Sequence, residues 1–344
     1  MADPLQYERY EGGSAEAERL LFERLRADIV RVQQKNQQAA GAGSPARVFH
    51  ASPVLGLDNA RLRFLDSLPA GLSGGFAQPG AAYPVTVRLS SSTGIPRPDA
   101  APDLRGVALR IQAAQDQSHD LLMLNTPASH AADAREFVAF ATVMAGVTST
   151  AAVASRFLFA LPRAVGWSTA NRMRRVLQAA TGRKVGSLAR ETYWSQSPIL
   201  WADAGPVRYL LRPRDSDTGV PAPRRDRSDP RYLRTELARR LAQEDIVFEL
   251  CLQLFADEAR TPVENASVEW PEDIAPPVPV ALLTIERQDI DSEEAQAASR
   301  RIEQLAFTPW NTTDMFRPLG NLNRSRKTLY EASSAARLGR RSSV

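Results

Sequence analysis

Tyr330 stands in RKTLYEASSAARLG (326–339), with Arg326 four residues before it and Arg337 seven after it. Four residues make one helical turn and seven make two, so all three side chains return to nearly one face of a helix. A free phenol loses its proton near pH 10. A guanidinium one turn away favours the phenolate, and so does a bound metal cation. Arg337 offers a planar fork of donors that suits a carboxylate. The same segment also fits a basic amphipathic helix with one tyrosine on its apolar side, and spacing alone leaves both readings open.

Proton transfer at neutral pH falls to few groups. The chain has three histidines, His50, His119 and His130, and one cysteine. A lone cysteine excludes an internal disulfide framework. Cys251 sits inside VFELCLQLF, the setting of a buried structural thiol. Of the 344 residues 43% are hydrophobic and 24% charged, ordinary globular values with room for one large domain or two small ones. Lys and Arg total 43 against 39 Asp and Glu, a net charge of only +4. The basic clusters, RPRDSDTGVPAPRRDRSDPR (212–231) and LGRRSSV (338–344), read as solvated loop and tail, so no nucleic-acid partner is expected. No apolar run is long enough to span a membrane. MADPLQYERYEGG lacks the basic region and apolar core of a secretion signal. The expectation is a cytoplasmic protein with no membrane partner.

These groups need elements to position them. Residues 14–41 predict a long helix, with Leu20, Leu21, Leu25, Ile29 and Val32 as its apolar stripe. Alternating runs at 46–51, 83–91, 104–112 and 121–124 read as antiparallel strands separated by glycine and proline. Residues 131–180 are helical in pattern. Strands return at 192–196, 198–203 and 207–213, then at 246–255 and 279–287, with helices at 233–243 and 292–307. Seven or eight antiparallel strands with inserted and appended helices predict an α+β fold built on a closed barrel. A barrel of about eight strands can hold or border one small ligand. The expected division is an N-terminal helical arm (1–44), a barrel (45–310) with a helical insertion at about 131–185, and a C-terminal helix (311–344).

The segment at 326–339 resembles the proximal haem segment of haem catalases, R-x-x-x-Y-x-x-x-x-x-x-R-L-G. Other stretches follow the same family in order. PARVFHAS (45–52) resembles R-V-V-H-A, VTVRLSSSTG (85–94) resembles V-R-F-S-T-x-x-G, and PDLRGVALRI (102–111) is similar to R-D-x-R-G-F-A-x-K-F. LLMLNTPASH (121–130) resembles D-L-x-x-x-N-x-P, and IEQLAFTPWN (302–311) resembles V-E-Q-x-A-F-x-P-x-N. Residues 229–253 and VEWPED (268–273) also keep the family's order, so the resemblance runs from about residue 45 to residue 339. It implies a catalase-like closed barrel binding haem b, with Tyr330 as the axial iron ligand. It implies that Arg326 supports the phenolate and that Arg47, Arg88 and Arg337 meet the haem propionates. His50 would be the general base, Ser90 its hydrogen-bond partner, Asn125 the donor that steers peroxide, and Asp103 a channel residue.

Departures from the family pattern shape the expected activity. The sequence stops five residues after Arg-Leu-Gly, which resembles the small, truncated catalase-related haem proteins. Ser129 and His130 replace a pair of phenylalanines, and Ser92 stands where the channel has valine. Smaller, more polar groups predict a wider channel, with His130 as either a wall residue or a second acid–base group and Phe137 and Phe140 still bordering the pocket. Phe49 replaces the valine before the histidine; allene oxide synthases of the superfamily carry threonine there. The resemblance therefore implies a haem-dependent peroxidase that reduces hydrogen peroxide or organic hydroperoxides via a ferryl intermediate. A small organic electron donor would be oxidised, with weak catalase activity alongside. Alternatives are a fatty-acid hydroperoxide isomerase or lyase, and a non-enzymatic haem carrier or sensor. By analogy with the family, a homodimer is expected.

Overall fold

The computed structural model describes residues 6–41, 47–114, 117–214, 226 and 228–339. The junction at 42–46, most of the basic loop at 212–231 and the tail beyond 339 lie outside the described residues, and with them the expected boundary at 44/45.

The chain begins with α1 (Ala15–Ala40), capped by the Ser14 side chain on the Ala17 N–H and ended by Gly41 in the left-handed conformation. Its buried face carries Leu21, Phe22, Ile29 and Val32, but also Glu18, Gln33 and Asn36. Leu20, expected in the stripe, is 50% exposed. It lies one position off the seam that faces the rest of the fold, and Phe22 takes its place in the core.

Strands β1 (Ser52–Leu57), β2 (Ala60–Phe64), β3 (Ala82–Ser91), β4 (Arg105–Ala114) and β5 (Gln117–Leu124) come next. After a helical insertion come β6 (Tyr193–Ser195), β7 (Ile199–Leu200), β8 (Pro206–Pro213), β9 (Ile246–Leu254) and β10 (Val278–Ile285). Eight of them close a barrel in the order β3-β2-β10-β9-β8-β6-β5-β4, sealed by the pairing of β3 with β4, while β1 pairs with β3 and β7 with β8. The pairings are antiparallel. The α+β, closed-barrel expectation holds. Residues 47–51 are not the expected strand: His50 has φ +56°, a left-handed conformation that breaks extended pairing.

Strand alternation sorts side chains onto the two faces of the barrel wall. Val85, Val87 and Leu89 of β3 and Val107, Leu109 and Ile111 of β4 join the barrel core. The alternate positions face outwards. In register, Ser90 lies opposite Gly106 and Gly106 opposite Leu124, while Arg88 lies opposite Ala108 and Ala108 opposite Leu122. Two small residues in the middle strand thus make a shallow floor on the outer wall.

Helices cover that floor. The insertion comprises α2 (Ala134–Met144), α3 (Thr150–Ser155), a π-helical turn (Arg156–Ala160), α4 (Leu161–Val165) and α5 (Trp167–Thr181). Later come α6 (Tyr232–Leu241), α7 (Glu293–Gln304) and α8 (Asn321–Leu338). A second apolar cluster joins Ile29 and Val32 of α1, Val138 and Ala141 of α2, Leu329 of α8 and Val48, with Tyr330 and Phe137 packed against it. Cys251 is fully buried, and burial pushes its thiol up to about 11, as a structural residue requires.

Candidate active site

Between the outer wall of β3, β4 and β5 and the covering helices lies a cavity of about 410 Å³, within the range of small-molecule and cofactor sites. His50, Ser90, Arg47, Arg88, Arg326, Arg337 and Tyr330 all line it. So do Asp103, Ser92, His130, Phe137 and Phe140. Residues scattered from 47 to 337 thus meet on one surface. Asn125 does not. It is fully buried, its side-chain oxygen accepts from the Arg105 N–H at 2.8 Å, and its amide donates to Glu191 at 2.8 Å.

His50 is held from several sides. Its N–H donates to the Ser92 carbonyl at 3.0 Å, and its own carbonyl accepts from Arg88 Nη2 at 2.8 Å. Nδ1 lies 2.9 Å from Ser90 Oγ. A Cβ placed on Gly106 would come 2.4 Å from His50 Cε1 and 2.7 Å from Nδ1, so the imidazole occupies the space that the missing side chain leaves. A positive φ on a non-glycine residue stores strain, and here the surrounding contacts hold it. Burial, reinforced by Arg88, Arg47 and Arg326, pushes the imidazole down to about 3, so it is neutral at physiological pH.

The arginines form a cluster with too few anions. Arg88 is 3% exposed and grips Glu303 with Nε at 2.8 Å and Nη2 at 3.0 Å. Arg47 Nη2 donates to the carbonyls of Glu303 (3.0 Å) and Leu305 (2.6 Å). Arg337 donates to the Glu303 carbonyl at 2.8 Å and the Leu305 carbonyl at 3.0 Å. These carbonyls form the C-terminal end of α7, where cations complement the helix dipole. Three guanidiniums still share the single carboxylate of Glu303. Burial first, then Arg88 and Arg337, push Arg47 down to about 9, and burial and Arg88 lower Arg337 too. The buried Nε atoms of Arg47 and Arg326 have no hydrogen-bond partner. An anionic ligand at this rim would supply both the missing charge and the missing acceptors.

Arg326 and Tyr330 are neighbours on α8 as the spacing predicts, with the guanidinium carbon 6.0 Å from the ring centre. Arg326 Nη1 also donates to the Asn323 side chain at 2.9 Å. On the far wall His130 packs against Phe140 (4.4 Å between ring centres) and Phe137 (5.9 Å), and Phe49 against Phe137 (4.9 Å). His130 Nε2 is buried without a partner, and burial pushes the ring down to about 4. Asp103 accepts from Ser92 Oγ at 2.7 Å and Thr93 Oγ1 at 3.0 Å.

Three contributors escaped sequence reasoning. Gly106 was visible only as part of a motif. Glu303 reaches the site because the end of α7 docks there. Asn36 lines the cavity from α1; a polar residue four positions after Val32 on a buried helical stripe was its only signal.

No protein-family model and no curated protein matches the chain. Solved structures do. A fungal catalase aligns with TM-score 0.67 at 19% identity, over 86% of this chain and 60% of that one. A bacterial catalase gives 0.63 at 18%, over 90% and 60%. Catalase A from Saccharomyces cerevisiae gives 0.66 at 16%, over 86% and 62%. The match thus spans about three-fifths of the length of these catalases. At such identities the likeness speaks to architecture: the closed eight-stranded barrel with its helical cover is the catalase fold.

Proposed function

We propose that this protein is a haem-dependent peroxidase acting on hydrogen peroxide or organic hydroperoxides, with a small organic molecule as electron donor. One observation carries the reading: a neutral imidazole and a phenol wall the same cavity, beside a rim of three guanidiniums that share one carboxylate. The residues suit haem b. Tyr330 would hold the iron, Arg326 would favour its phenolate, and Arg47, Arg88 and Arg337 would take the propionates. Haem, when bound, supplies the redox centre that takes up oxidising equivalents from a peroxide O–O bond and passes them to a donor. His50 takes a proton from one peroxide oxygen and returns it to the other, making water a leaving group. The contact with Ser90 at 2.9 Å orients the ring and, with Nδ1 donating, leaves Nε2 as the base. The steering role expected of Asn125 requires its amide to leave Arg105 and Glu191; as placed, it ties β4 to the Glu191 segment.

A second reading, fatty-acid hydroperoxide isomerase or lyase, gains support from the part of the cavity lining that lies outside the barrel strands. There Ile95, Val147, Val153, Phe157 and Leu177 offer an apolar lining suited to an acyl chain. Product analysis separates the two, because this reading predicts hydroperoxide loss with neither added donor nor released oxygen.

The test is haem reconstitution followed by visible spectroscopy and turnover. Tyr330→Phe should lose the phenolate-type charge-transfer band and most retained haem. His50→Ala should keep haem and lose dye oxidation by about 10²–10⁴-fold. An unchanged Tyr330→Phe spectrum, or oxygen evolution dominating at every peroxide concentration, overturns the peroxidase reading.

A further inference from the structure

From Phe137 to Arg190 the chain contains no aspartate or glutamate, although about six would fall there at the chain's own average of 39 in 344. The same stretch holds Arg156, Arg163, Arg172, Arg174, Arg175, Arg183, Lys184 and Arg190. Arg172 and Arg183 reach back to Glu136 and Glu191 at its borders. Arg156, Arg163, Arg174, Arg175 and Lys184 are exposed, and among the described residues no carboxylate pairs with them.

Among the described residues, this cationic insertion also carries most of the exposed large apolar side chains. Leu158 is 52% exposed, Phe159 58% and Trp167 68%. On α5, Trp167 shares an outward face with Asn171, Arg174 and Gln178 at helical spacing, beside Arg175, while Ala170, Met173 and Ala180 are buried. Leu158 and Phe159 lie in the π-helical turn, where Pro162 has no N–H to give the Leu158 carbonyl and Leu161 instead bonds back to Arg156.

We infer that the outer face of this insertion, from Arg156 to Arg175, docks on an anionic lipid surface. Apolar and aromatic side chains would enter the headgroup boundary, and the arginines that lack a carboxylate partner would meet lipid phosphates. Charge complementarity selects this occupant: an acid-free face with protruding tryptophan, phenylalanine and leucine matches an interface that is anionic outside and apolar beneath. This docking departs from the sequence-based expectation of no membrane partner, which rested on the lack of a spanning segment. Among the described residues no helix is long and apolar enough to cross a membrane. The same insertion walls the cavity through Val153, Phe157, Leu177 and Thr181, so the docked face and the cavity lie on opposite sides of one helical layer. An apolar hydroperoxide dissolved in the bilayer would then be delivered close to the site. The docking itself does not depend on haem binding or peroxidase activity.

The experiment is flotation of the full chain with vesicles of phosphatidylglycerol and phosphatidylcholine in equal parts, against phosphatidylcholine alone, with folding of every variant checked by thermal melting. Wild type should float with the anionic vesicles only and be released as salt rises. Arg174→Glu/Arg175→Glu should weaken binding by well over tenfold, at roughly fivefold for each charge removed. Leu158→Ser/Phe159→Ser/Trp167→Ala should weaken it similarly and abolish any tryptophan blue shift on vesicle addition. Equal flotation with neutral vesicles, or binding unchanged in the charge-reversal variant, overturns the inference. So does failure to float accompanied by a Trp167→Ala-sensitive dimer, which assigns the face to a second copy, or by salt-sensitive retention on duplex DNA.

Discussion

Gly106→Ala tests whether the placement of His50 is what the site depends on. The new methyl would stand 2.4 Å from His50 Cε1 and 2.7 Å from Nδ1. Ordinary carbon contacts begin near 3.5 Å, so the ring must retreat by about 1 Å. The main chain of His50 cannot follow easily, because its N–H and C=O are both bonded and its φ is already +56°. The imidazole therefore turns and gives up its 2.9 Å contact with Ser90. A displacement of about 1 Å in a proton-transfer group costs on the order of 10²-fold in rate, while overpacking of this size costs about 1–3 kcal/mol in stability. In haem-reconstituted protein, steady-state dye oxidation should fall about 10²-fold, the spectrum should persist, and the melting temperature should drop modestly. In a His50→Ala background the same change should add little, since the displaced ring is gone; the two effects should be strongly non-additive. Turnover within a few-fold of wild type in Gly106→Ala, or penalties that simply multiply, would refute the reasoning.

Two further outcomes follow from burial and charge. Arg324 is 7% exposed and binds Glu18 (2.6 Å), Glu8 (2.8 Å) and Glu264 (2.9 Å), whose carboxylates hold its proton more tightly despite burial. Arg324→Met should cost about 3–5 kcal/mol in urea unfolding at pH 7, because it strands several carboxylates; the cost should shrink in acid, and a loss below about 1 kcal/mol would show that the network carries no weight. Burial pushes His50 down to about 3 and His119 and His130 down to about 4. Below their unfolded value near 6.5 the unfolded chain takes protons that the folded chain refuses, so stability falls as pH drops towards 4. At pH 5 the loss is roughly 2 kcal/mol per histidine. It is partly offset by Asp99, Asp120 and Asp133, which burial raises. Unfolding midpoints at pH 7.5 and pH 5 check this; identical values would mean that the three rings are not buried neutral.

The barrel was legible where alternation is strong. Val85, Val87 and Leu89 point one way and Arg88 and Ser90 the other, and such runs announce a wall with two different faces. The strands β1 and β2 were not expected: SPVLGL contains proline and glycine, and ARLRF is only five residues long. Residues 46–51 imitated a strand because periodicity cannot see a left-handed residue such as His50. The lining residues were legible as an ordered set of motifs. What those motifs hid is tertiary. Asn125 turns to Glu191, 66 positions away, and Glu303 meets Arg88, 215 positions before it. No local spacing encodes such meetings.

The end of α7 has one more consequence. Arg47 enters from the start of the barrel segment and Arg337 from the last turn of α8, yet both clasp the carbonyls of Glu303 and Leu305. The entry to the barrel segment and the last turn of α8 are therefore tied at a single knot. Neither can open alone without stripping donors from the same helix end, so loosening of the last turn of α8 is coupled to that of the segment leading into β1. In the proposed haem site, the Arg47 and Arg337 guanidiniums that would meet a propionate are thus held by main chain beforehand.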